Sequence, residues 1–305
     1  MDIQLQVFSA VAELRNFSRA GERLHMTQPA VSQHIRGLEE AMGVRLLERN
    51  NKSVTLTRAG EIVLHHAREI NGLYARMREM IDELVGSAHG PLAVGASYTF
   101  GEYMLPLALA RLHEAYPDIA PSITIANTAD IADRLRQREL DVGIVEGEEI
   151  GTGLEAFRLA EDEMVIAAGR HHPLANETSP VSSERLAAEP WMVREAGSGT
   201  RAAMEGMFAA WGIRPARLME LGSTQLIKET VEAGLGLTLQ SRWALRKELG
   251  LGSLRLVPAA GLPVRRSFHV LLRKGDLRTR AMDAFLETLR AETGKLLASG
   301  EETDR

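Results

Sequence analysis

Residues 26–40 read MTQPAVSQHIRGLEE, and this stretch predicts an amphipathic helix. Apolar side chains recur at helical intervals and are expected to form one buried face: Val31, Ile35, Leu38 and Met42. Thr27 can cap the helix, and Pro29 would lie in its first turn, where a missing N–H costs little. The opposite face carries polar side chains that gain little from burial. A solvated surface helix would show the same pattern, so the neighbouring segments decide its role.

Two shorter helices are predicted upstream of this one. The first has an apolar face formed by Leu5, Phe8, Val11 and Ala12, and RNFS at 15–18 ends it. Ser18 can cap a second short helix over 19–25. Two short helices, a tight turn and a longer third helix are typical of a helix-turn-helix, in which the later helix enters the DNA major groove.

The polar face of the third helix suits DNA recognition. Gln can bridge adenine N6 and N7, Ser can contact a base or phosphate, and Arg can reach guanine or phosphate. The following segment, 44–57, predicts a β-wing with its turn at Asn50-Asn51. A solvated helical hairpin with a surface turn is the alternative. The candidate DNA contacts are Ser18, Thr27, Gln28, Pro29, Ser32, Gln33, Arg36, Arg49 and Lys52.

Composition limits the class of protein. The 305 residues suffice for two or three domains. The absence of cysteine excludes disulfides, thiolate metal sites and cysteine nucleophiles. Neither a leader sequence nor a run of about 18 apolar residues is found, so we expect a cytoplasmic protein. Residues 1–60 carry eight Lys or Arg and six Asp or Glu, a net charge of +2 in a chain of −5. This asymmetry weakly favours an N-terminal nucleic-acid module.

A long helix is predicted after the wing, because 58–85 lacks proline and has apolar residues every three or four positions. This seam either packs on its own domain or pairs with a second subunit. It comprises Val63, Ala67, Ile70, Leu73, Tyr74, Met77, Met80, Ile81 and Leu84. His65 and His66 should point about 100° apart and form a poor metal pair. GSAHGP at 86–91 predicts a hinge.

From residue 91 onward, short apolar runs such as LAVGAS, DVGIVEG and LGLTLQ alternate with helical segments. This alternation predicts a parallel sheet covered by helices, with the last apolar helix at 277–290. In open α/β sheets, ligands bind at the carboxyl ends of strands, where helix N-termini point N–H groups inward.

Three loops of this body fit that description, and their hydroxyl and N–H groups suit a small carboxylate or oxyanion. For each loop alone, helix capping is the better explanation, but three such loops together favour a binding cleft. A carboxylate in the cleft would repel an anion unless it is protonated or bonded to Arg201 or a ligand proton. The candidate contacts are Ser97 and Thr99 in GASYTFG, Asn127 and Thr128 in ANTAD, Glu146 in VGIVEG, and Ser198, Thr200 and Arg201 in EAGSGTR.

Residues 17–61, FSRAGERLHMTQPAVSQHIRGLEEAMGVRLLERNNKSVTLTRAGE, resemble the winged helix-turn-helix of LysR-type transcriptional regulators at fixed spacing. The resemblance implies an α/β protein with an all-α N-terminal part. It implies a DNA-binding domain at 1–58, a linker and dimerisation helix at 59–87, and an effector-binding domain at 88–305. Operator DNA, further copies of the chain in a homodimer or homotetramer, and RNA polymerase are the implied macromolecular partners; no cofactor, metal or membrane is implied.

The body resembles the family's effector domain, which implies two lobes like those of periplasmic binding proteins. Lobe 1 would span 91–162 and 266–295, and lobe 2 would span 163–265. The loop sequences together resemble the branch that regulates sulfur assimilation, and less closely the regulators of carbon fixation. The implied effector is a small sulfur oxyanion or related metabolite between the lobes. A carboxylate from carbon fixation or from aromatic or organic-acid metabolism is the alternative.

An enzyme and a solute-binding protein are the competing classes. The chain contains no GxSxG, HExxH or Walker motif, and no GxGxxG after a predicted strand. His171 and His172 precede a proline in a predicted surface loop. Either competing class predicts that removal of 1–88 leaves function intact, whereas a DNA-binding regulator would lose operator binding.

Overall fold

The computed structural model describes residues 3–50, 53–83, 88–147 and 151–302. The chain divides into two compact units, Met1–Gly86 and Ser87–Arg305. Among the described residues, no helix combines the length and apolarity needed to cross a membrane.

The N-terminal unit opens with three helices: α1 (Ile3–Leu14), α2 (Phe17–Leu24) and α3 (Gln28–Met42). Asn16 caps α2, because its side chain accepts a hydrogen bond from the N–H of Arg19 at 3.0 Å. The prediction that Ser18 caps α2 is therefore wrong. The helix begins earlier than expected because Phe17 is drawn onto the core of this unit, which places Ser18 inside the first turn.

The third helix has the ends that its sequence predicts. Thr27 Oγ1 accepts a hydrogen bond from the N–H of Ala30 at 3.4 Å. Gly43 ends the helix with a φ of 68°, which glycine adopts without steric cost. Met42 is 50 % exposed, contrary to prediction, because it is the last helical residue and lies beyond the edge of the core. The rest of the predicted apolar face is buried against α1: Val31, Ile35 and Leu38.

A two-stranded wing follows, formed by β1 (Leu47–Asn50) and β2 (Ser53–Leu56) in antiparallel register. Its predicted turn lies partly outside the described residues. The carboxylate of Glu39 on α3 accepts hydrogen bonds from the N–H groups of Leu46 and Leu47 at 2.8 and 3.2 Å. These bonds attach the start of the wing to the third helix.

The long helix α4 (Arg58–Glu83) divides into two halves by burial. Its first half packs on the N-terminal core through Val63, Leu64 and Ala67. Its second half exposes a stripe of large apolar side chains, each about half exposed: Ile70, Leu73, Met77 and Ile81. The first half of the predicted seam therefore packs on its own domain. Pairing with a second subunit stays a prediction for the second half. Leu84 lies outside the described residues.

The second unit contains the α/β body. Its elements follow in the order β3 (Gly90–Ala96), α5 (Tyr98–Tyr103), α6 (Leu105–Ala115), β4 (Ile119–Ile125), α7 (Thr128–Arg136), β5 (Val142–Glu146), β6 (Leu154–Gly169), a 3₁₀ turn (Pro173–Asn176), α8 (Ser183–Ala188), β7 (Pro190–Val193), α9 (Gly199–Trp211), β8 (Arg217–Glu220), α10 (Thr224–Glu232), β9 (Leu237–Ser241), α11 (Arg242–Leu251), β10 (Leu254–Leu256), β11 (Val264–Arg273) and α12 (Arg280–Glu302).

Within the described residues, these strands form one nine-stranded sheet in the order β4-β3-β5-β11-β6-β9-β7-β8, with β10 paired to β6. Parallel pairs lie at both ends of the sheet, β3 with β4 and β5, and β7 with β8 and β9. The centre is antiparallel, so the prediction of a parallel sheet is wrong there. The long strands β6 and β11 pair directly with each other, although all of lobe 2 lies between them in the chain.

The two lobes of this unit each have a hydrophobic core. Lobe 1, with β3–β5, α5–α7 and α12, has a core that includes Ala160 and Phe268. Lobe 2, with β7–β10 and α8–α11, has a core that includes Met164, against which Val264 packs. Strands β6 and β11 therefore pass from one core to the other between these residues. The side chains at that passage are polar.

Candidate functional site

The polar face of α3 is open to solvent in the N-terminal unit. Gln28, Gln33 and Arg36 are exposed, and Ser32 is half-buried. Gln28 Nε2 donates a hydrogen bond to Ser32 Oγ at 2.9 Å, which orders the leading edge of this face. The face therefore offers amide, hydroxyl and guanidinium groups, which are the groups that read base edges in the major groove.

The structure locates the remaining predicted DNA contacts to different degrees. Ser18 is exposed in the first turn of α2, and Thr27 and Pro29 are exposed at the start of α3. The backbone of Arg49 lies in β1 of the wing. Lys52 lies outside the described residues.

A buried ion pair lies where β6 and β11 pass between the lobes. Asp162 and Arg266 face each other in strand register, and Arg266 Nε donates to Asp162 Oδ2 at 2.8 Å. The two side chains are 0 and 6 % exposed. Ser241 Oγ donates to the other carboxylate oxygen at 2.6 Å. Burial still raises the pKa of Asp162, against the effects of Arg266 and Ser241 and with a contribution from the charge of Glu146.

The same guanidinium connects two of the predicted loops. Arg266 Nη1 donates to Thr200 Oγ1 and Nη2 to Thr99 Oγ1, each at 3.1 Å. Thr99 belongs to α5 of lobe 1 and Thr200 to α9 of lobe 2. Sequence reasoning grouped the two threonines but missed Arg266 and Asp162. The available signal was a cluster of charged residues inside two apolar strands, LAEDEMVI and VRRSFHVLL.

Glu146 ends β5 and is 3 % exposed. Among the described residues its Oε1 has no hydrogen-bond partner, although it lies 3.6 Å from Nη2 of Arg266. The pairing with Arg201 considered from the sequence is not found. Arg201 instead bonds to Glu205 at 2.5 Å and to the carbonyl oxygen of Arg194 at 3.0 Å.

A cavity of about 680 Å³, the interlobe cavity, opens beside Glu146. Residues along α7 line it from lobe 1, and the first two turns of α9 line it from lobe 2. Four predicted ligand contacts belong to its lining: Thr128, Glu146, Ser198 and Arg201. The other four do not line it: Ser97, Thr99, Asn127 and Thr200.

The alternative role of these loops as helix caps differs from loop to loop. Asn127 caps α7, because its Oδ1 accepts a hydrogen bond from the N–H of Asp130 at 2.9 Å. Ser97 and Ser198 precede α5 and α9, but within the described structure neither makes a side-chain cap bond. The buried Oγ of Ser97 has no hydrogen-bond partner there. Capping therefore accounts for Asn127 but not for the two serines.

Two further cations of lobe 2 lie against α5 of lobe 1. The guanidinium of Arg194 stacks over the Tyr98 ring at 4.2 Å, and Lys228 Nζ lies 5.0 Å from the centre of the Tyr103 ring. Lys228 is buried and donates to Glu248 at 2.8 Å. These cation–π contacts hold the two lobes together in addition to Arg266. Sequence reasoning missed them because each pair joins residues far apart in the chain.

His65, His66 and Glu69 lie close together on α4. The ring centres of the two histidines are 5.1 Å apart, and His66 Nδ1 lies 3.0 Å from Glu69 Oε2. The three potential ligand atoms lie within 4.8 Å of one another on the surface of the helix. Both imidazoles are exposed, and the prediction that they form a poor metal pair stays a prediction.

Comparison with known proteins follows the same division of the chain. Residues 3–61 match the family model of the bacterial regulatory helix-turn-helix protein, lysR family. Residues 86–294 match the LysR substrate binding domain. The chain belongs to the LysR family. This LysR-family regulator is therefore not an enzyme, and the helix-turn-helix match also argues against the solute-binding alternative.

Individual relatives extend the match along the whole regulator. It is 39 % identical over 245 residues to the HTH-type transcriptional regulator CysL of Bacillus subtilis, covering 80 % of this chain and 82 % of that protein. It is 33 % identical to the RuBisCO operon transcriptional regulator of Allochromatium vinosum, covering 96 % of each. A full-length OxyR variant from Pseudomonas aeruginosa superposes with a TM-score of 0.76 at 25 % identity, covering 95 % of this chain and 94 % of that one. These likenesses confirm the predicted two-lobed fold and the resemblance to CysL, and they show that a RuBisCO operon regulator is also similar.

Proposed function

We propose that this regulator acts in the cytoplasm and binds a specific site in double-stranded DNA through α3. The observation that supports this most strongly is the exposed polar face of α3, opposite an apolar face packed on α1. In this account Gln33 and Arg36 contact base edges, and Arg49 and Lys52 contact the backbone from the wing. Ser18, Thr27, Gln28, Pro29 and Ser32 complete the proposed contact surface.

Substitution of Arg36 tests this assignment. A duplex selected from a random library by the full-length protein would serve as target, and a shuffled duplex as competitor. We expect Arg36→Ala to lose about 1–3 kcal/mol of discrimination, because a specific base contact is removed. Arg111→Ala is the matched control, since Arg111 is exposed in the other unit and carries the same charge. Unchanged discrimination in Arg36→Ala would refute the proposed contact face.

We further propose that residues 59–87 join two copies of the chain, with 1–58 acting on DNA and 88–305 on the effector. The exposed apolar stripe in the second half of α4 supports this, because such side chains gain stability when a second helix covers them. A dimer, or a dimer of dimers, would place paired α3 helices in successive major grooves. Met77→Glu should lower the oligomeric state measured by light scattering, and an unchanged mass would refute the pairing.

The effector is proposed to bind in the interlobe cavity and to act as the switch. One ligand there can contact the first turns of α7 and α9, which belong to different lobes. The effector can favour one lobe arrangement over another only by the difference in its affinity for the two arrangements. That preference would then change the spacing between the DNA-binding units. Helix N-termini favour an anion, and the likeness to CysL favours one linked to sulfur metabolism. The proposed direct contacts are the four residues that line the cavity: Thr128, Glu146, Ser198 and Arg201. The other residues of the proposed site do not line the cavity themselves: Ser97, Thr99, Asn127 and Thr200.

A carboxylate effector is the second candidate, favoured by the 33 % identity with the RuBisCO operon regulator. Thermal unfolding of the full-length protein would separate the two in the presence of sulfite, sulfate, thiosulfate, phosphate, O-acetylserine or aromatic carboxylates. A ligand at 100 times its Kd should stabilise the protein by about 2.7 kcal/mol. A response to the sulfur anions or to O-acetylserine, without one to the aromatic carboxylates, supports the first candidate, and a response to the aromatic carboxylates alone replaces it with the second.

A further inference from the structure

The lining of the interlobe cavity has an excess of negative charge. Its described lining residues include three carboxylates and two guanidiniums. Two of the carboxylates are matched within the lining: Asp133 bonds to Arg136 at 2.6 Å and Glu205 to Arg201 at 2.5 Å. Glu146 is the third, and it has no cationic partner in the lining.

Arg266 does not belong to this lining and does not fully neutralise the charge of Glu146. Its Nε is hydrogen-bonded to Asp162 at 2.8 Å, whereas its distance to Glu146 Oε1 is 3.6 Å, too long for a hydrogen bond. One buried cation thus serves two buried carboxylates. A buried carboxylate oxygen without a hydrogen bond is costly, and a donor that reaches it is correspondingly favoured.

A site for negative charge lies directly beside this carboxylate. Gly199 begins α9, and a Cβ added there would lie 2.8 Å from the Cβ of Glu146. Within the described residues, the N-cap residue Ser198 makes no side-chain cap bond, which leaves the first N–H groups of α9 without that acceptor. The helix end therefore favours an anionic group, while Glu146 favours a cationic donor next to it.

We propose that the effector is a zwitterion of the α-amino-acid type, with an ammonium group that donates to Glu146 and an anionic group at the start of α9. This inference rests on the proposed function of the interlobe cavity, and it narrows the effector from any small anion to one with an adjacent ammonium. A plain oxyanion would leave the Glu146 oxygen unsatisfied and would face its charge.

Matched ligand pairs test the proposal on the full-length protein. L-cysteine, O-acetyl-L-serine and L-methionine would each be compared with the acid that lacks the amino group: 3-mercaptopropionate, 3-acetoxypropionate and 4-(methylthio)butanoate. Sulfate and thiosulfate complete the set. We expect at least one amino acid to bind, by calorimetry and by thermal shift, at least tenfold more tightly than its deaminated counterpart.

Glu146→Gln should reverse this preference, because the amide removes the negative charge at nearly constant shape. The amino acid should bind at least tenfold more weakly and the deaminated acid more tightly than to the wild type. Glu184→Gln on the exposed surface of α8 is the control and should match the wild type. The comparison of ligand pairs on the wild-type protein stands even if the Glu146 variant does not fold.

The outcomes separate this inference from the proposed function. Binding of deaminated acids or inorganic anions without preference for the amino acids would overturn the zwitterion and leave an anion site. If none of the amino acids binds, the inference is wrong; if the sulfur anions also fail, the sulfur effector is wrong with it. Retained discrimination in a folded Glu146→Gln variant would assign the ammonium contact elsewhere and overturn the role of Glu146.

Discussion

Arg266 Nε lies 2.8 Å from Asp162 Oδ2 at the level where β6 and β11 pass from the core of lobe 1 to that of lobe 2. The same guanidinium bonds to Thr99 of lobe 1 and Thr200 of lobe 2. A single buried cation therefore connects both lobes to the strands that join them. Because both lobes bond to this one guanidinium, Arg266 is the central residue of the effector unit.

Removal of the Arg266 charge should be strongly destabilising. Arg266→Met leaves Asp162 and Glu146 buried without their cation, and we expect a loss of about 3–5 kcal/mol in the free energy of unfolding. Urea denaturation followed by circular dichroism measures it. Arg265→Met is the control, because Arg265 is 65 % exposed and its ion pairs should contribute less than about 1 kcal/mol. Equal effects of the two substitutions would contradict the assigned role.

A second charged cluster predicts a dependence of stability on pH. Desolvation alone would raise the pKa of Asp276, but bonds from Arg138 at 2.8 Å and Arg273 at 2.7 Å outweigh it and lower the pKa. The ionised carboxylate therefore stabilises the fold above its unfolded pKa of about 3.9, and the contribution is lost as pH falls through the lowered pKa. Asp276→Asn should lower Tm at pH 7 and have a progressively smaller effect below about pH 4.

The control for this prediction is Asp118→Asn, at an exposed position on the loop before β4. It should leave Tm nearly unchanged at either pH. If Asp276→Asn lowers Tm by the same amount from pH 7 to pH 3, packing rather than the ion pairs accounts for its effect.

Gly60 at the start of α4 should not tolerate a side chain. A Cβ at this position would lie 2.1 Å from the carbonyl oxygen of Leu46, which joins α3 to the wing. Gly60→Ala is therefore expected to destabilise the N-terminal unit and weaken DNA binding, despite the higher helix propensity of alanine. Gly294→Ala on α12 should instead stabilise by up to about 1 kcal/mol, because an added Cβ there would meet no described atom within 4 Å outside the helix's own backbone and the neighbouring residues. Thermal unfolding that ranks the two variants in the reverse order would refute the close contact.

Local patterns in the sequence predicted the N-terminal unit well because its helices are specified by nearby residues. Val31, Ile35 and Leu38 follow the helical repeat, and Thr27 caps α3 through its own side chain. The errors also have local causes. Phe17 extends α2 toward its N-terminus, so Asn16 rather than Ser18 is the cap.

The effector unit was less predictable because its site depends on pairing between distant segments. The loops before α5, α7 and α9 could be identified as strand-to-helix junctions from the sequence. The register that places Arg266 opposite Asp162 could not, since the two residues lie on strands separated by all of lobe 2. The antiparallel centre of the sheet was missed for the same reason, because strand direction leaves no periodic signal in the sequence.

The most direct test of the account measures DNA binding and effector binding together. The full-length protein would be titrated with its selected duplex, with and without a saturating amount of the compound that gives the largest thermal shift. We expect a changed affinity or footprint in the wild type and in Ser179→Ala, an exposed control position. In Ser198→Ala the same response should require a higher concentration of the compound, with DNA affinity unchanged in its absence. A compound that saturates the protein but alters neither affinity nor footprint would contradict the central claim that the interlobe cavity controls DNA binding.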